Sequence, residues 1–350
     1  MKILLVQTSF LGDTILSTPL IAALNKLYPH SEIWMMTTRI SAELVKSDPL
    51  LKGVIVFDKS KTQKGIAGML SMARELKRHK FDVAYALHRS YRTAILLFLS
   101  AIKERVGFKE AGFSCFYTRT VKREKEKHDV IRNLSLLKKE TAVLESNLSF
   151  ENFFSDDLRL FVNNEQEVKK QYNSVFADGA AYAVLVPGSA WKTKMWFWQG
   201  YRQVAEYLLS SDKRVVFLGS QSESDLCQKV AQGLDVINLA GQSSINESMV
   251  ILKNADLVVC NDSMSLHLAS AFKVPNVSIF CATSPDFGFG PWKNKALVVE
   301  KKGLSCKPCR RHGSNKCPTG TEACMKELPA EEVIEAVKKL SRLESLRVIS

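Results

Sequence analysis

Five places along the chain bring together residues able to handle a phosphorylated or activated substrate. Asp13 stands behind Leu11 and Gly12, just past the apolar run 3–6; a carboxylate there can cap a helix or accept a proton. His88, Arg89 and Arg92 follow a second such run, 82–87. Guanidinium groups at that point either hold a carboxylate or phosphate, or lie in a solvated loop. Gly188, Ser189 and Lys194 follow a third, 181–186. Backbone and hydroxyl donors with a nearby ammonium suit the developing charge of a diphosphate leaving group, though Lys192 and Lys194 can each be read as a surface lysine. Glu223 begins a helical pattern and can serve as its cap. Asp262 and Ser263 close a fourth run, 257–260, and open a helix. The N–H groups of Met264 and Ser265 would favour an anion there, and His267 lies four positions after Ser263 on the same face.

A sixth cluster is made of thiols. Cys306 and Cys309 form a C-x-x-C pair, whereas Cys317 and Cys324 are six residues apart, unlike common zinc ribbons. Reduced thiols or a local bridge are favoured over a structural zinc. Cys115, Cys227, Cys260 and Cys281 are scattered among apolar neighbours and read as buried small hydrophobes.

These residues need a scaffold that repeats the same corner. Strand patterns at 3–6, 32–37, 53–57, 82–87 and 105–108 alternate with helical ones at 41–47, 66–79, 91–101 and 127–139. The first helix would open at Asp13 and Thr14. Pro19 either starts a second helix capped by Thr18 or kinks the first. The basic stretch 117–127 reads as solvated. Residues 141–173 are polar and read as an inter-domain connection. The alternation then restarts with strands 181–186, 214–218, 236–239, 257–260 and 276–280, a loop at 282–292, and an amphipathic helix at 330–343. Strict alternation predicts two doubly wound parallel sheets, whose strand carboxyl ends are where ligands bind. The expected domains are 1–165 and 174–330, with the terminal helix 331–350 packing back on the first.

At 350 residues, 46% hydrophobic and 24% charged, the chain has a globular composition. Its longest apolar stretch, 93–102, is about half of a bilayer span, and the N-terminal apolar run is too short for a signal peptide. A cytoplasmic protein is expected. The net charge of +13 suits an anionic partner. No RNA-recognition, zinc-finger or helix-turn-helix pattern is present, so no nucleic acid is expected. The first turn lacks G-x-G-x-x-G, which disfavours a nicotinamide dinucleotide.

The segment 10–29, with Leu11-Gly12-Asp13, resembles the N-terminal signature of glycosyltransferase family 9, the heptosyltransferases of bacterial lipopolysaccharide assembly. Segment 86–108 resembles the family's next strand and helix. Pro187-Gly188 followed by Lys194-Met195-Trp196, the Leu239-Ala240-Gly241 turn, and Asp262-Ser263 with His267 resemble three further motifs, Met264 replacing a usual glycine. The resemblance implies the GT-B architecture, an α/β fold of two Rossmann-like domains facing across a cleft. It implies an inverting transfer of heptose from ADP-heptose to an inner-core acceptor, with Asp13 as general base. Donor phosphate and sugar contacts fall on Ser189, Lys194, Asp262, Ser263, Met264 and His267, and ribose contacts on Glu223. Acceptor contacts fall on Gly12, Thr14, Arg89 and Arg92. The sequence has no Asp-x-Asp pair, so metal and cofactor are expected to be absent. The expected partners are ADP-heptose, an acidic Kdo/heptose–lipid A glycolipid and the inner membrane surface. The rival readings are a GT-B nucleotide-sugar epimerase and a non-catalytic basic peripheral membrane protein.

Overall fold

A computed structural model describes residues 1–58, 63–146 and 148–345. The chain divides into two units, Met1–Phe161 and Val162–Ser350.

The sheet of unit 1 contains β1 (Lys2–Gln7), β2 (Glu32–Thr37), β3 (Leu51–Val56), β4 (Val83–Ala86), β5 (Glu104–Phe108) and β6 (Arg119–Val121). Its order is β3-β2-β1-β4-β5-β6, with every pairing parallel. Ile3 to Val6 are fully buried, as expected for a central parallel strand covered on both faces. The strand order reverses between β1 and β4, whose pairing runs from Ile3 opposite Val83 to Val6 opposite Ala86. The loops leaving these two strands therefore start level with each other.

Unit 2 repeats the plan with β7 (Tyr182–Val186), β8 (Arg214–Phe217), β9 (Ile237–Asn238), β10 (Leu257–Asn261), β11 (Asn276–Ile279) and β12 (Ala296–Val299). The order is β12-β11-β10-β7-β8-β9, again all parallel. Here the reversal falls between β7 and β10, with Cys260 opposite Val186. Both units thus show the doubly wound order that places a ligand crevice at the carboxyl ends of the two strands flanking the reversal.

Several expectations change. The first helix opens at Leu11, two residues before Asp13, and ends at Ser17; a second runs Pro19–Leu27. Pro19 takes the first position of that second helix, where its missing N–H costs nothing. Strands β6 and β12 were not expected. Both are edge strands; β6, Arg119-Thr120-Val121, has a weak apolar signal, whereas β12, Ala296–Val299, is a short apolar run.

The basic stretch 117–127 is not simply solvated. Arg119 lies on β6 and pairs with Glu104 and Glu140 at 2.7 and 2.6 Å. Arg123 and Arg132 are buried around Asp129. Tyr28 and Tyr85 donate to the same Glu140 at 2.6 and 2.7 Å, and burial together with that carboxylate pushes the Tyr28 phenol up to about 12. Both phenols therefore remain protonated donors. Cys115 is exposed, whereas Cys227, Cys260 and Cys281 are buried as expected.

The final helix, Ala330–Ser345, packs into unit 2. Val333, Val337 and Leu340 sit in one core cluster with Trp196, Tyr201, Phe217 and Ile279 of unit 2. Residues 346–350 of the expected terminal segment lie outside the described residues.

Candidate functional site

At the reversal in unit 1, β1 ends at Gln7 and the chain turns through Thr8, Ser9 and Phe10 into the helix Leu11–Ser17. Asp13 occupies that helix's third position. Its Oδ2 accepts the Phe10 N–H at 3.1 Å, so it does cap, but from inside the helix. The residue is half-buried, at the carboxyl end of β1 where the fold sets a ligand crevice. From the neighbouring strand, His88 joins the two loops: Nε2 lies 3.3 Å from Thr8 Oγ1 and 2.9 Å from Thr93 Oγ1.

Arg89 and Arg92 are exposed beside it. The Arg92 guanidinium stands 5.9 Å over the Tyr91 ring, and its Nε donates to the Tyr91 hydroxyl at 3.3 Å. Gly12 lies in the first turn of the helix. Thr14 is fully buried and its hydroxyl donates to the Phe10 carbonyl at 3.4 Å. That bond ties the Thr14 side chain to the start of its own helix.

The reversal in unit 2 is more tightly knit. Lys194 Nζ lies 2.7 Å from Asp262 Oδ2, and Thr283 Oγ1 donates to the same oxygen at 2.7 Å. The three residues come from the loops after β7, β10 and β11. Ser189 Oγ donates to the Asp262 carbonyl at 3.3 Å. Asn261, with no exposed surface, donates through Nδ2 to the Pro187 carbonyl at 2.7 Å and accepts the Trp196 N–H on Oδ1 at 3.0 Å. One amide thus clamps both ends of the loop that carries Ser189 and Lys194. Lys192 is exposed and Lys194 half-buried, which separates the two lysines.

Ser263 caps the helix Met264–Ala271, its hydroxyl accepting the Ser265 N–H at 3.4 Å. Met264 takes the first helical position and is half-exposed, while His267 is buried one turn on.

Glu223 has a double engagement. Its Oε2 accepts the Ser220 N–H and hydroxyl, each at 2.7 Å. Its Oε1 lies so close to Gly188 that a Cβ there would come within 2.0 Å. Glycine at 188 is what lets this carboxylate lie over the β7 loop.

The thiol cluster buttresses the same loop. Thr193 Oγ1 donates to the Ser314 carbonyl at 2.9 Å and accepts the Ser314 N–H at 2.8 Å, and the Cys309 N–H reaches the Ala282 carbonyl at 2.9 Å. Among the described residues, no group of three or more His, Cys, Asp or Glu side chains is arranged to hold a metal ion. Asn261, Thr193 and Thr283 were missed in the sequence, where a buried polar residue at a strand end looks like any other loop residue.

The profile "Glycosyltransferase family 9 (heptosyltransferase)" matches residues 69–318. The chain belongs to glycosyltransferase family 9. It is therefore a glycosyltransferase. The family 9 chain is 26% identical over 347 residues to lipooligosaccharide heptosyltransferase 2 of Campylobacter jejuni serotype O:6, covering 97% of this chain and 99% of that protein. A solved family 9 glycosyltransferase from Veillonella parvula shares its fold with a TM-score of 0.83 at 22% identity, over 97% of this chain and 96% of that one. The Escherichia coli heptosyltransferase WaaC, solved with ADP-2-deoxy-2-fluoro heptose, aligns with a TM-score of 0.71 at 18% identity, over 97% and 99% of the two chains.

Proposed function

We propose that this family 9 enzyme moves heptose from ADP-heptose onto an acidic inner-core acceptor of lipopolysaccharide, with inversion and without a metal ion. In this reading unit 1 supplies the base and the acceptor contacts, and unit 2 supplies the donor contacts. The acceptor hydroxyl gives its proton to the Asp13 carboxylate while its oxygen bonds to the anomeric carbon. The bond from that carbon to the diphosphate breaks, and ADP leaves with the electron pair. A single displacement of this kind inverts the centre.

The observation that carries the reading is the Lys194 ammonium held at the β7 end by Asp262, whose carboxylate is itself braced by the Thr283 hydroxyl. A fixed ammonium beside the Ser189 hydroxyl and the helix start at Ser263 neutralises a departing diphosphate without reorganising. This is the charge that a divalent ion would otherwise provide. Glu223, already turned over the β7 loop, meets the ribose hydroxyls. Met264 borders the sugar phosphate, and His267 supports the same helix from within. Arg89 and Arg92, with the Gly12 backbone, meet the carboxylate or phosphate of the acceptor. That acceptor is anchored in lipid, so the enzyme works at the inner membrane surface. No helix among the described residues is long and apolar enough to cross a membrane.

Thermal shift with ADP-heptose, ADP and NAD tests the donor assignment, because a ligand at 100 times its Kd stabilises by about 2.7 kcal/mol. ADP-heptose and ADP should raise Tm, and NAD should not. Release of ADP that requires a Kdo–lipid A acceptor should follow. Conversion of ADP-heptose without acceptor would point to an epimerase instead, and vesicle binding with no nucleotide-sugar binding would leave only a basic peripheral protein.

A further inference from the structure

We infer that unit 1 carries a membrane-docking surface on the helix Tyr91–Leu99 and the short turn Ser114–Phe116, and that its partner is an anionic lipid bilayer. The inference rests on the reading above, in which the acceptor stays in the membrane, and it specifies where the protein meets that membrane.

The helix has two apolar faces. Ala94, Leu96 and Leu97 are buried against the sheet. Tyr91, Phe98 and Leu99 point outward, Tyr91 and Phe98 being 49% and 50% exposed. Phe113, 55% exposed, stands beside them in a left-handed backbone conformation at φ 55°. Four rings form a continuous row: Tyr91 to Phe113 at 6.2 Å, Phe113 to Phe116 at 5.8 Å, and Phe116 to Phe98 at 4.6 Å between centroids. Keeping such a row in water is unfavourable, and a soluble surface rarely gathers its apolar residues so closely.

Cations flank the rings. Arg92 lies over Tyr91, while Arg105, 5.8 Å from the Phe98 ring centre, donates through its guanidinium to the Phe116, Ile102 and Lys103 carbonyls and so fixes the turn against the helix. Arg89 and Lys103 are exposed nearby. The acids of this flank are engaged, Glu104 with Arg119 at 2.7 Å and Glu110 with the Arg123 N–H at 3.0 Å. Aromatic rings that enter the headgroup boundary beside arginines that meet lipid phosphates are the chemistry of an interfacial anchor. A protein partner would more often bring carboxylates and a shaped pocket.

Position supports the same partner. Tyr91 follows the end of β4 and Phe113 the end of β5, the sheet end that also bears Asp13. A bilayer touching the Tyr91–Phe113 end of this row lies on the side of the sheet that bears the carboxylate.

Flotation of the full chain with vesicles of phosphatidylglycerol, against phosphatidylcholine, tests this. The wild type should float with the anionic vesicles and be released by high salt. The double variant F98S/F113S, altered only at exposed positions, should retain its Tm and lose binding about tenfold or more. It should turn over a soluble, delipidated acceptor normally and a vesicle-embedded acceptor poorly. If the wild type does not float, membrane docking itself fails. If wild type and variant float equally, this surface is not the contact. If the wild type is a dimer that the variant converts to monomer, the row is a self-interface and the proposal is overturned.

Discussion

Lys194 Nζ and Asp262 Oδ2 stand 2.7 Å apart at the reversal of the second sheet, both largely out of solvent. Each compensates the charge of the other, so neither can be removed without leaving a poorly solvated ion. Asp262→Asn should therefore destabilise the protein by about 3 kcal/mol as well as weaken the hold on ADP. Lys194→Gln should leave Asp262 its bond to Thr283, cost less stability, and lower kcat by about 10²–10³. Urea denaturation beside steady-state kinetics checks both; equal rate losses with unchanged stability would contradict the ion-pair account.

Asn261 makes no ligand contact in this scheme, yet its amide ties Pro187 to Trp196. Asn261→Ala leaves a buried carbonyl and a buried N–H unsatisfied, each costing about 1–3 kcal/mol. Because the loop loses its clamp, the KM for the donor should rise more than kcat falls. Asn261→Asp keeps one acceptor for the Trp196 N–H and should recover part of the loss. A variant that lost only stability would reduce Asn261 to a core residue.

Gly188→Ala would drive a methyl group into Glu223. The carboxylate end can swing aside, so the stability cost is small, but the ribose contact goes with it. ADP should bind about tenfold more weakly, which is about 1.4 kcal/mol. In a Glu223→Ala background the same change should do nothing further, and calorimetric titration of the four proteins closes that double-mutant cycle.

Asp13→Asn keeps an oxygen for the Phe10 N–H, so the helix start survives. The proton acceptor does not, and turnover should fall by about 10²–10⁴ with ADP affinity nearly intact. Near wild-type turnover would take Asp13 out of the chemistry.

Cys317 should be the reactive member of the thiol cluster. The Thr319 hydroxyl, 3.3 Å from its sulfur, and backbone N–H groups of the same turn lower its thiol to about 7. The thiolate is the nucleophile, so alkylation should slow as pH falls below that value and level off above it. Burial raises the thiols of Cys227, Cys260 and Cys281, which should stay unlabelled in the native protein. Mass spectrometry across a pH series reads this directly. A Cys317 rate still climbing tenfold per unit beyond pH 8 would contradict it.

The alternation of apolar runs and helical patterns was enough to place Asp13, Lys194 and Asp262 at strand ends, because a doubly wound sheet puts every such corner on one side. What residues do to one another across corners was not legible. Nothing near Asp262 in the chain indicates that Lys194 and Thr283 share its Oδ2, since those three come from separate loops. The burial of Thr14 was equally hidden, because a threonine carries no mark of which helix face it takes. Arg123 looked solvated because a charge run reads the same whether or not an Asp129 waits inside. The terminal helix was amphipathic on inspection, but amphipathicity does not name the surface it covers.

The docking of that helix has a consequence for biosynthesis. The second unit's interior is closed by Val333, Val337 and Leu340, which are made well after Phe161 completes the first unit. At roughly 5–20 residues per second, the second unit waits about 10 to 40 s longer for its last hydrophobic staves. A ribosome that stalls or terminates between the two points would release a complete first unit joined to a second whose apolar interior is open, which marks truncated chains for aggregation or proteolysis.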